Sequence, residues 1–333
     1  MTSVLGVDIG GTKIAVAPVD RLGGQLAPPI VTLSQKADVN SLLLGLEAVL
    51  RRALADFAQF EPVAIGIACA GTVDSARTEV IASPNLPLVH VPIGSILQER
   101  LRVPVVLEND ANAAVLGEAV AGAAVGFKDV VMIALGTGIG GGLFLDGKLY
   151  RGANGGAGEL GHIVVQQGGL LCNCGNRGCL EMYASGPALA RYANDCAGDA
   201  ERDPDGALMG LRERGELSGG AVTRLARAGH PGALQAVRQL SEALGAGLIT
   251  LTNAFDPAMI VVGGGVSDLG ELLLEPARRM VRASAMPPGR DAVQIVQAKL
   301  GNTAGLVGVG LSAWEFAGLQ PGEPMARPGA AAV

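Results

Sequence analysis

The strongest chemical signal in this sequence comes from one histidine and three cysteines. His162, Cys172, Cys174 and Cys179 follow the spacing H-x9-C-x-C-x4-C. Three thiolates and one imidazole complete a tetrahedral Zn²⁺ shell and leave no position for a substrate. Redox-active or simply buried cysteines are the alternative. Because cysteines crowded together in a reducing compartment favour a metal over a disulfide, the sequence predicts a structural zinc in the loop 159–181.

Two aspartates stand where predicted strands end, a common location of catalytic groups in α/β proteins. Asp8 precedes a glycine turn and is a candidate ligand for Mg²⁺, with a turn-capping role as the alternative. Asp110 opens a predicted helix over 110–125. It is a candidate general base, since phosphoryl transfer to a hydroxyl needs a carboxylate that accepts the proton. An ordinary helix cap is the alternative for Asn109 and Asp110.

Two glycine turns share one pattern, strand, glycines, strand, in DIGGTKIA and LGTGIGGGL. The second contains G-x-G-x-x-G at Gly136, Gly138 and Gly141, but a strand-like segment follows where a Rossmann fingerprint requires a helix. The sequence also lacks the G-x-x-x-x-G-K-[ST] pattern of a P-loop. Backbone N–H groups in such turns can surround phosphate oxygens, so the matched pair predicts phosphate binding.

Two further carboxylates flank the proposed zinc loop. Glu159 precedes His162 by one helical turn, and Glu181 follows Cys179 by two residues. Fixed acceptors of this kind suit the hydroxyl groups of a polyhydroxyl ligand, whereas two solvated surface acids are the alternative. These residues predict a sugar-like ligand beside the zinc.

Composition excludes several classes of protein. Glycine supplies 50 of 333 residues, roughly double the usual share of about 7%. Neither a collagen period nor a disordered composition accompanies it, because 49% of the residues are hydrophobic. A net charge of −6 argues against nucleic-acid binding. The apolar run 130–145 is shorter than the roughly 20 residues of a spanning helix, and no signal peptide is evident. We therefore expect a cytoplasmic protein that binds no membrane.

The recurring glycine hairpins predict two α/β halves with a ligand cleft between them. We expect a small N-terminal domain over 1–115, completed by a C-terminal helix near 303–318. A larger domain then spans 116–302, and residues 319–333 form a disordered tail. Within the larger domain the sequence predicts a polar, helix-prone insertion over 188–230, a helix at 231–255 and a buried strand in AMIVVGGGVS.

With these motifs assembled, the chain resembles the ROK family of sugar kinases and repressors, within the actin-like ATPase superfamily. The resemblance runs from about residue 4 to 316 and rests on DIGGTKIA, LENDANAA, LGTGIGGGL, GELGH with CNCGNRGCLE, and GGGVS. It implies a two-domain actin-like ATPase fold, of the duplicated ribonuclease-H-like type, with a central cleft and a zinc-bound loop. It also implies MgATP and a hexose as ligands.

The resemblance assigns roles to individual residues. Asp110 would be the catalytic base, and Asp8 would serve the Mg²⁺. His162 would bind zinc through one ring nitrogen and offer the other to a sugar hydroxyl. The implied sugar-binding residues are Gly71, Asn85, Asn109, Asp110, Glu159, His162 and Glu181. The implied ATP-binding residues are Gly6, Asp8, Gly10, Gly11, Thr12, Lys13, Gly136, Thr137, Gly138, Gly140, Gly141, Gly264 and Gly265.

Departures from the family pattern leave the sugar open. Ala70 replaces a proline that often precedes Gly71. Leu88 and Val89 stand where an aromatic residue is common in glucokinases. The segment 195–214 has no counterpart in the pattern. We expect a glucokinase that phosphorylates the 6-hydroxyl, with N-acetylmannosamine, fructose or another hexose as alternative substrates. A homodimer or homotetramer is a family-level expectation.

Three rival functions share this fold. A transcriptional repressor carries a winged helix before the first glycine motif, and the seven residues before Asp8 leave no room for one. A non-catalytic sugar sensor is disfavoured by the intact Asp8 and Asp110. A polyphosphate-dependent glucokinase is disfavoured by the cysteine pattern.

Overall fold

The computed structural model describes residues 1–318, and the predicted tail 319–333 lies outside them. The chain forms two compact units. Unit 1 comprises Met1–Gly126, Arg151–Gly156 and the described residues 303–318. Unit 2 comprises Phe127–Tyr150 and Ala157–Asn302. The sequence-based boundary between 115 and 116 falls inside a helix, and residues 116–126 lie in unit 1.

Unit 1 contains a five-stranded sheet and a separate, smaller three-stranded sheet. The large sheet has the strand order β3-β2-β1-β4-β8, and the small one has the order β5-β6-β7. In chain order the strands are β1 (Ser3–Ile9), β2 (Lys13–Val19), β3 (Ile30–Leu33), β4 (Pro62–Cys69), β5 (Thr72–Val73), β6 (Val80–Ala82), β7 (Val89–Val91) and β8 (Val105–Asn109).

The large sheet brings three strand ends to one edge. β1 and β2 form the predicted antiparallel hairpin, whereas β1, β4 and β8 run parallel. Ile9 lies opposite Cys69, and Cys69 lies opposite Asn109, so the residues that follow these strands share one edge. Continuous burial along β1, β4 and β8 agrees with strands covered on both faces.

Three helices of unit 1 precede unit 2 in the chain: α1 (Val39–Asp56), α2 (Ile93–Leu101) and α3 (Asp110–Ala121). Helix α1 ends at Asp56, and Ala58–Phe60 form a 3-10 turn after it. Helix α3 ends four residues before the predicted Val125, where Gly122 follows it. Eight of its twelve residues are buried, so it is a core helix of unit 1.

Unit 2 repeats the arrangement of unit 1, with a glycine hairpin next to parallel strands. Its sheet has the order β11-β10-β9-β12-β13; β9 pairs antiparallel with β10 and parallel with β12. The elements are β9 (Val130–Leu135), β10 (Ile139–Leu145), β11 (Lys148–Leu149), α4 (Glu181–Ala184), α5 (Gly186–Asn194), α6 (Ala207–Glu213), α7 (Gly219–Arg227), α8 (Pro231–Phe255), β12 (Met259–Gly263), α9 (Glu271–Ser284), α10 (Gly289–Ala292) and β13 (Gln294–Gln297).

The last described helix, α11 (Ala304–Phe316), belongs to unit 1 and is buried on nearly all sides. Its backbone lies directly on the sheet and on α3, because glycines remove the side chains in between. A Cβ at Gly6, Gly66 or Gly117 would overlap the carbonyl oxygen of Leu306, Val309 or Ala304, respectively.

Within residues 1–318, none of the helices combines the length and the apolar character needed to cross a bilayer.

Candidate active site

The edge of the unit 1 sheet carries two interacting carboxylates. Asp8 is the penultimate residue of β1, and Asp110 begins α3 directly after β8. Burial raises the pKa of Asp8 to about 6, the negative charge of Asp110 adds to the rise, and Lys13 opposes it. A Cβ at Gly305 would lie 3.8 Å from Asp8 Oδ1 and 3.9 Å from the Asp110 carbonyl oxygen. Gly305 of α11 therefore borders both residues, and sequence reasoning missed it.

Asn109 fixes the start of α3 and the loop after β4. Its Oδ1 accepts hydrogen bonds from the backbone N–H groups of Ala111 and Asn112, at 2.9 and 3.0 Å. Its Nδ2 donates to the Gly71 carbonyl at 2.9 Å. The structure therefore brings together two predicted sugar-binding residues, and the helix-cap reading of Asn109 holds beside any ligand role.

The first glycine turn is surrounded by cations. Gly10 N–H donates to the Lys13 carbonyl at 2.9 Å and closes the turn. A Cβ at Gly11 would lie 3.6 Å from both Asn85 Cβ and Lys36 Nζ, so Asn85 and Lys36 border the turn. Lys13 and Lys36 are the two lysines among the described residues of unit 1. Sequence reasoning missed Lys36, which follows a short edge strand and belongs to no motif.

Gly6 has a different position from the rest of the first motif. It is buried in the middle of β1, where the overlap with Leu306 described above explains why a glycine is required. The structure accounts for this glycine by helix packing.

The second glycine turn, in unit 2, is fixed by several hydrogen bonds. Gly136 N–H donates to the Gly138 carbonyl, and Gly186 N–H donates to the Gly136 carbonyl, both at 2.8 Å. Glu181 Oε2 accepts from Ile139 N–H at 2.8 Å, and a Cβ at Gly138 would overlap this carboxylate. The predicted sugar-binding residue Glu181 thus also orders the predicted phosphate turn.

The remaining glycines of the second motif have mixed environments. Thr137 is exposed at the tip of the turn, and Gly140 pairs with Ala134 within the hairpin. Gly141 is buried against Gly158, in the way that Gly6 is buried in unit 1. The predicted nucleoside residues Gly264 and Gly265 follow β12, and Gly264 has φ +80 with its Cα against the Leu135 carbonyl.

The four predicted zinc ligands converge. Their ligand atoms all lie within 4.8 Å of one another. Cys172 Sγ lies 3.6 Å from His162 Nδ1, and Cys174 Sγ lies 3.7 Å from Cys179 Sγ. Metal–ligand bonds of about 2.0–2.3 Å in tetrahedral geometry give ligand separations of this size. Burial raises the pKa of Cys179 to about 12, so a bound cation is the natural means of keeping this thiol ionised. The residues fit a zinc ion.

The zinc loop depends on glycine and on one tyrosine. Gly175 and Gly178 have φ of +89 and +84, the conformation that the tight turns required. The Tyr183 hydroxyl accepts a hydrogen bond from Leu170 N–H at 2.7 Å. Sequence reasoning found no role for the tyrosines, because a single hydroxyl thirteen residues from its partner has no recognisable spacing.

The two nitrogens of His162 face different groups. Nδ1 faces the sulfur of Cys172, whereas Nε2 lies 4.0 Å from Glu159 Oε2. Glu181 Oε1 lies 3.8 Å from Cys172 Sγ. The arrangement leaves Nε2 for a ligand beside Glu159, in agreement with the divided role expected for this histidine.

A second cluster of possible metal ligands joins two aspartates of the segment 195–214, Asp203 and Asp205, to His230. His230 Nε2 lies 3.2 Å from Asp203 Oδ1 and 3.1 Å from Asp205 Oδ1. His230 Nδ1 accepts from Ala233 N–H at 3.3 Å, so Nε2 carries the proton and donates to the carboxylates. Hydrogen bonds therefore explain this cluster as a cap of α8.

Glu108, immediately before Asn109, is at the centre of a buried ion cluster that sequence reasoning missed. Arg151 Nε and Nη2 each lie 2.8 Å from Glu108 Oε2. Arg77 Nη2 lies 3.4 Å from the same oxygen and donates to the Ser312 hydroxyl. Burial lowers the pKa of Arg77, and the charge of Glu108 opposes that shift.

Comparisons with known proteins find relatives along nearly the whole chain. The sequence profile of the ROK family matches residues 4–314. A glucokinase of Streptomyces coelicolor is 40% identical over 312 residues, which cover 92% of this chain and 96% of the relative.

Solved structures give the same result. A ROK family glucokinase from Streptomyces griseus in complex with glucose and AMPPNP has a TM-score of 0.77 and 40% identity, covering 94% of this chain and 99% of that one. A ROK hexokinase from Thermus thermophilus has a TM-score of 0.77 and 35% identity, covering 95% and 99%. These neighbours confirm the predicted α/β fold class.

Proposed function

The chain belongs to the ROK family, and from that premise we propose that it is an ATP-dependent glucokinase, which transfers a phosphoryl group to the 6-hydroxyl of glucose. The observation that carries the proposal is the pair Asp8 and Asp110 at one sheet edge, in a chain 40% identical to glucokinases over nearly its full length. Phosphoryl transfer to an alcohol needs a base for the hydroxyl proton and a site for the phosphate charge.

Asp110 is the proposed base, and its backbone position is fixed. It begins α3 at a helix start that Asn109 caps, so the carboxylate projects from a rigid element. It accepts the proton of the 6-hydroxyl as the oxygen attacks the γ-phosphorus. General-base catalysis of this kind contributes about 10²–10⁴-fold to the rate.

We assign the other hydroxyl groups of the sugar to Asn109, Glu159, His162 and Glu181, with Gly71 and Asn85 bordering the same ligand. Glu159 and His162 Nε2 form a matched acceptor and donor pair in unit 2. Asn109 keeps one Nδ2 hydrogen for a ligand after it donates to Gly71.

We assign the triphosphate to the two glycine turns, with Thr12, Lys13 and Thr137 contributing side chains. Asp8 fits Mg²⁺: burial and the negative charge of Asp110 raise its pKa, and a bound cation would favour its ionised form. Mg²⁺ supplies charge neutralisation of the phosphates when bound. His162, Cys172, Cys174 and Cys179 hold the zinc, whose function is structural. We further propose a cytoplasmic homodimer or homotetramer.

A coupled ADP-release assay tests the proposal across glucose, mannose, fructose, N-acetylglucosamine and N-acetylmannosamine with MgATP. We expect the highest kcat/KM for glucose. A higher kcat/KM for another hexose would transfer the proposal to that sugar. Sugar binding by calorimetry without ADP formation for any of the five would refute the kinase activity and support a sensor.

A further inference from the structure

The short segment Arg151–Gly156, here called the strap, has an unusual place in the chain. Its neighbours on both sides, Tyr150 and Ala157, belong to unit 2, whereas the strap itself packs within unit 1. Glu159, a proposed sugar ligand, follows the strap by three residues. The position of the strap on unit 1 therefore sets where the sugar-binding loop begins.

The strap is held at both ends. Arg151 makes two close contacts with Glu108 Oε2, and its Nη2 lies 3.5 Å from Glu315 Oε2. Gly155, with φ +78, packs its Cα so closely on the Val73 carbonyl that a Cβ would overlap it. The first end is a charged contact and the second is a steric one.

The same carboxylate also holds the catalytic strand end. Glu108 Oε1 lies 3.3 Å from Asn109 N and 3.4 Å from Asn112 Nδ2, both of which donate to it. Only 3% of the Glu108 side chain is exposed. One oxygen thus contacts the strap, while the other contacts the residues on either side of Asp110.

Stability alone gives no reason for this cluster. Removing charged groups from water is costly, and well-packed apolar residues in place of a buried ion pair often leave a protein equally or more stable. A cavity of about 170 Å³ also lies beside the cluster, bordered by Arg77, Glu108, Asn109, Arg151 and Gly155, so the strap is not simply packed onto a solid core. An ion cluster that holds the strap in one position accounts for both observations.

We propose that Arg151 is a positioning residue, which anchors the strap to Glu108 and so fixes where the sugar-binding loop begins. Arg151 touches neither the sugar nor ATP in this role. The inference rests on the proposed kinase function for its kinetic consequences. Its structural consequence, an ordered strap in the ligand-free protein, is independent of that function.

The test compares Arg151→Met with Arg77→Met in the full-length protein. Both variants remove a guanidinium from Glu108, but only Arg151 is part of the strap. For Arg151→Met we expect hydrogen exchange to rise at least tenfold in residues 151–158 of the ligand-free protein. We also expect the glucose KM to rise at least tenfold, with the ATP KM changed less than threefold.

For Arg77→Met we expect a comparable loss of thermal stability, with strap exchange and glucose KM changed less than threefold. Glu315→Gln, which alters an exposed partner of both arginines, is the control for loss of charge. Arg151→Lys keeps one charged contact and should give intermediate strap exchange and glucose KM. It carries the test alone if Arg151→Met does not fold.

Equal effects of Arg77→Met and Arg151→Met on glucose KM would overturn the proposal, since the cluster would then be merely structural. Unchanged strap exchange in Arg151→Met, or in Arg151→Lys if that variant carries the test, would overturn it as well. Failure of the wild-type protein to phosphorylate any hexose would refute the proposed function instead. The exchange measurement would still decide whether Arg151 anchors the strap.

Discussion

The glycine turn of unit 1 lies beside two lysines and two interacting carboxylates, whereas the turn of unit 2 is held by hydrogen bonds from Gly186 and to Glu181. Both turns follow the same strand–glycine–strand pattern. The first turn lies among charged side chains of both signs, and the second is fixed by hydrogen bonds. The comparison teaches that one turn pattern can be placed in a charged environment in unit 1 and ordered by hydrogen bonds alone in unit 2.

The largest effect is expected at the proposed general base, Asp110, in unit 1. Asp110→Asn keeps the size of the side chain but cannot accept the hydroxyl proton at neutral pH. We expect kcat to fall by about 10²–10⁴-fold, with much smaller changes in glucose affinity. ADP release and calorimetry measure the two quantities. Wild-type turnover in this variant would remove Asp110 from its role.

The next effect tests whether a zinc ion orders the loop 159–181 of unit 2. Cys174→Ser removes one zinc ligand from a site whose metal is worth about 10–16 kcal/mol in small peptides. We expect a lower thermal stability and a higher glucose KM. Metal analysis and thermal unfolding check this result. Wild-type protein purified without chelator and containing no zinc would contradict the site itself.

A stability measurement tests whether ionisation of Asp8 destabilises the folded protein. The pKa of Asp8 is raised from 3.8 to about 6 on folding, so the folded state binds the proton more tightly than the unfolded state. Folding stability contributed by this group is therefore lost as the pH rises from about 4 to 6, and the loss amounts to about 3 kcal/mol.

Asp8→Asn should consequently stabilise the ligand-free protein at pH 7.5 and have little effect at pH 4, as measured by urea unfolding. Mg²⁺ with a non-hydrolysable ATP analogue should narrow the difference at pH 7.5. An equal effect at both pH values would show that ionisation of Asp8 does not destabilise the folded protein.

Breaking the fixed turn of unit 2 should give a smaller effect. Glu181→Gln keeps an acceptor for Ile139 N–H but removes the charge, and hydrogen bonds to charged groups contribute about 1.5–3 kcal/mol. We expect the ATP KM to rise about tenfold, in addition to any change for the sugar. Steady-state kinetics with each substrate varied separates the two. An unchanged ATP KM would limit Glu181 to the sugar.

The smallest effect is expected at Lys36, an exposed lysine that borders the first turn. An exposed charge contributes about 0.2–1 kcal/mol, so Lys36→Met should raise the ATP KM by no more than about fivefold. The effect should fade as salt is increased from 0.05 to about 0.5 M, because the Debye length shrinks. Lys299→Met, in unit 2, is the matched control. A salt-independent effect would argue for a direct packing role.

Elements with local signatures were accessible from the sequence. The alternation around the glycine motifs predicted both hairpins, and the spacing of His162 and the three cysteines predicted their convergence. The helix at 231–255 was also predicted at its observed limits, since Pro231 begins it and a long apolar period follows. In each case the interacting residues are close in sequence.

Contacts between residues that are far apart in the sequence could not be predicted from it. Glu108 and Arg151 are separated by 43 positions, and Glu108 and Ser312 by 204, so no spacing rule connects them. Gly6 and Gly141 lie inside motifs that suggested phosphate, yet both are buried where another backbone passes closely. A glycine that permits helix packing and a glycine that admits a ligand are identical in sequence.

The dense packing of α11 on unit 1 has a consequence for how the protein is made. Residues 304–316 are the last described part of the chain to be synthesised, yet they cover strands that begin at Ser3. Unit 1 therefore cannot complete its core on the ribosome until residues 304–316 have emerged, after the segments that form unit 2. Pairing of segments so far apart carries a loop-closure cost and leaves apolar surface exposed meanwhile. The single tryptophan, Trp314, is buried in this helix and donates to the Val19 carbonyl, so its fluorescence reports the docking of α11 on unit 1.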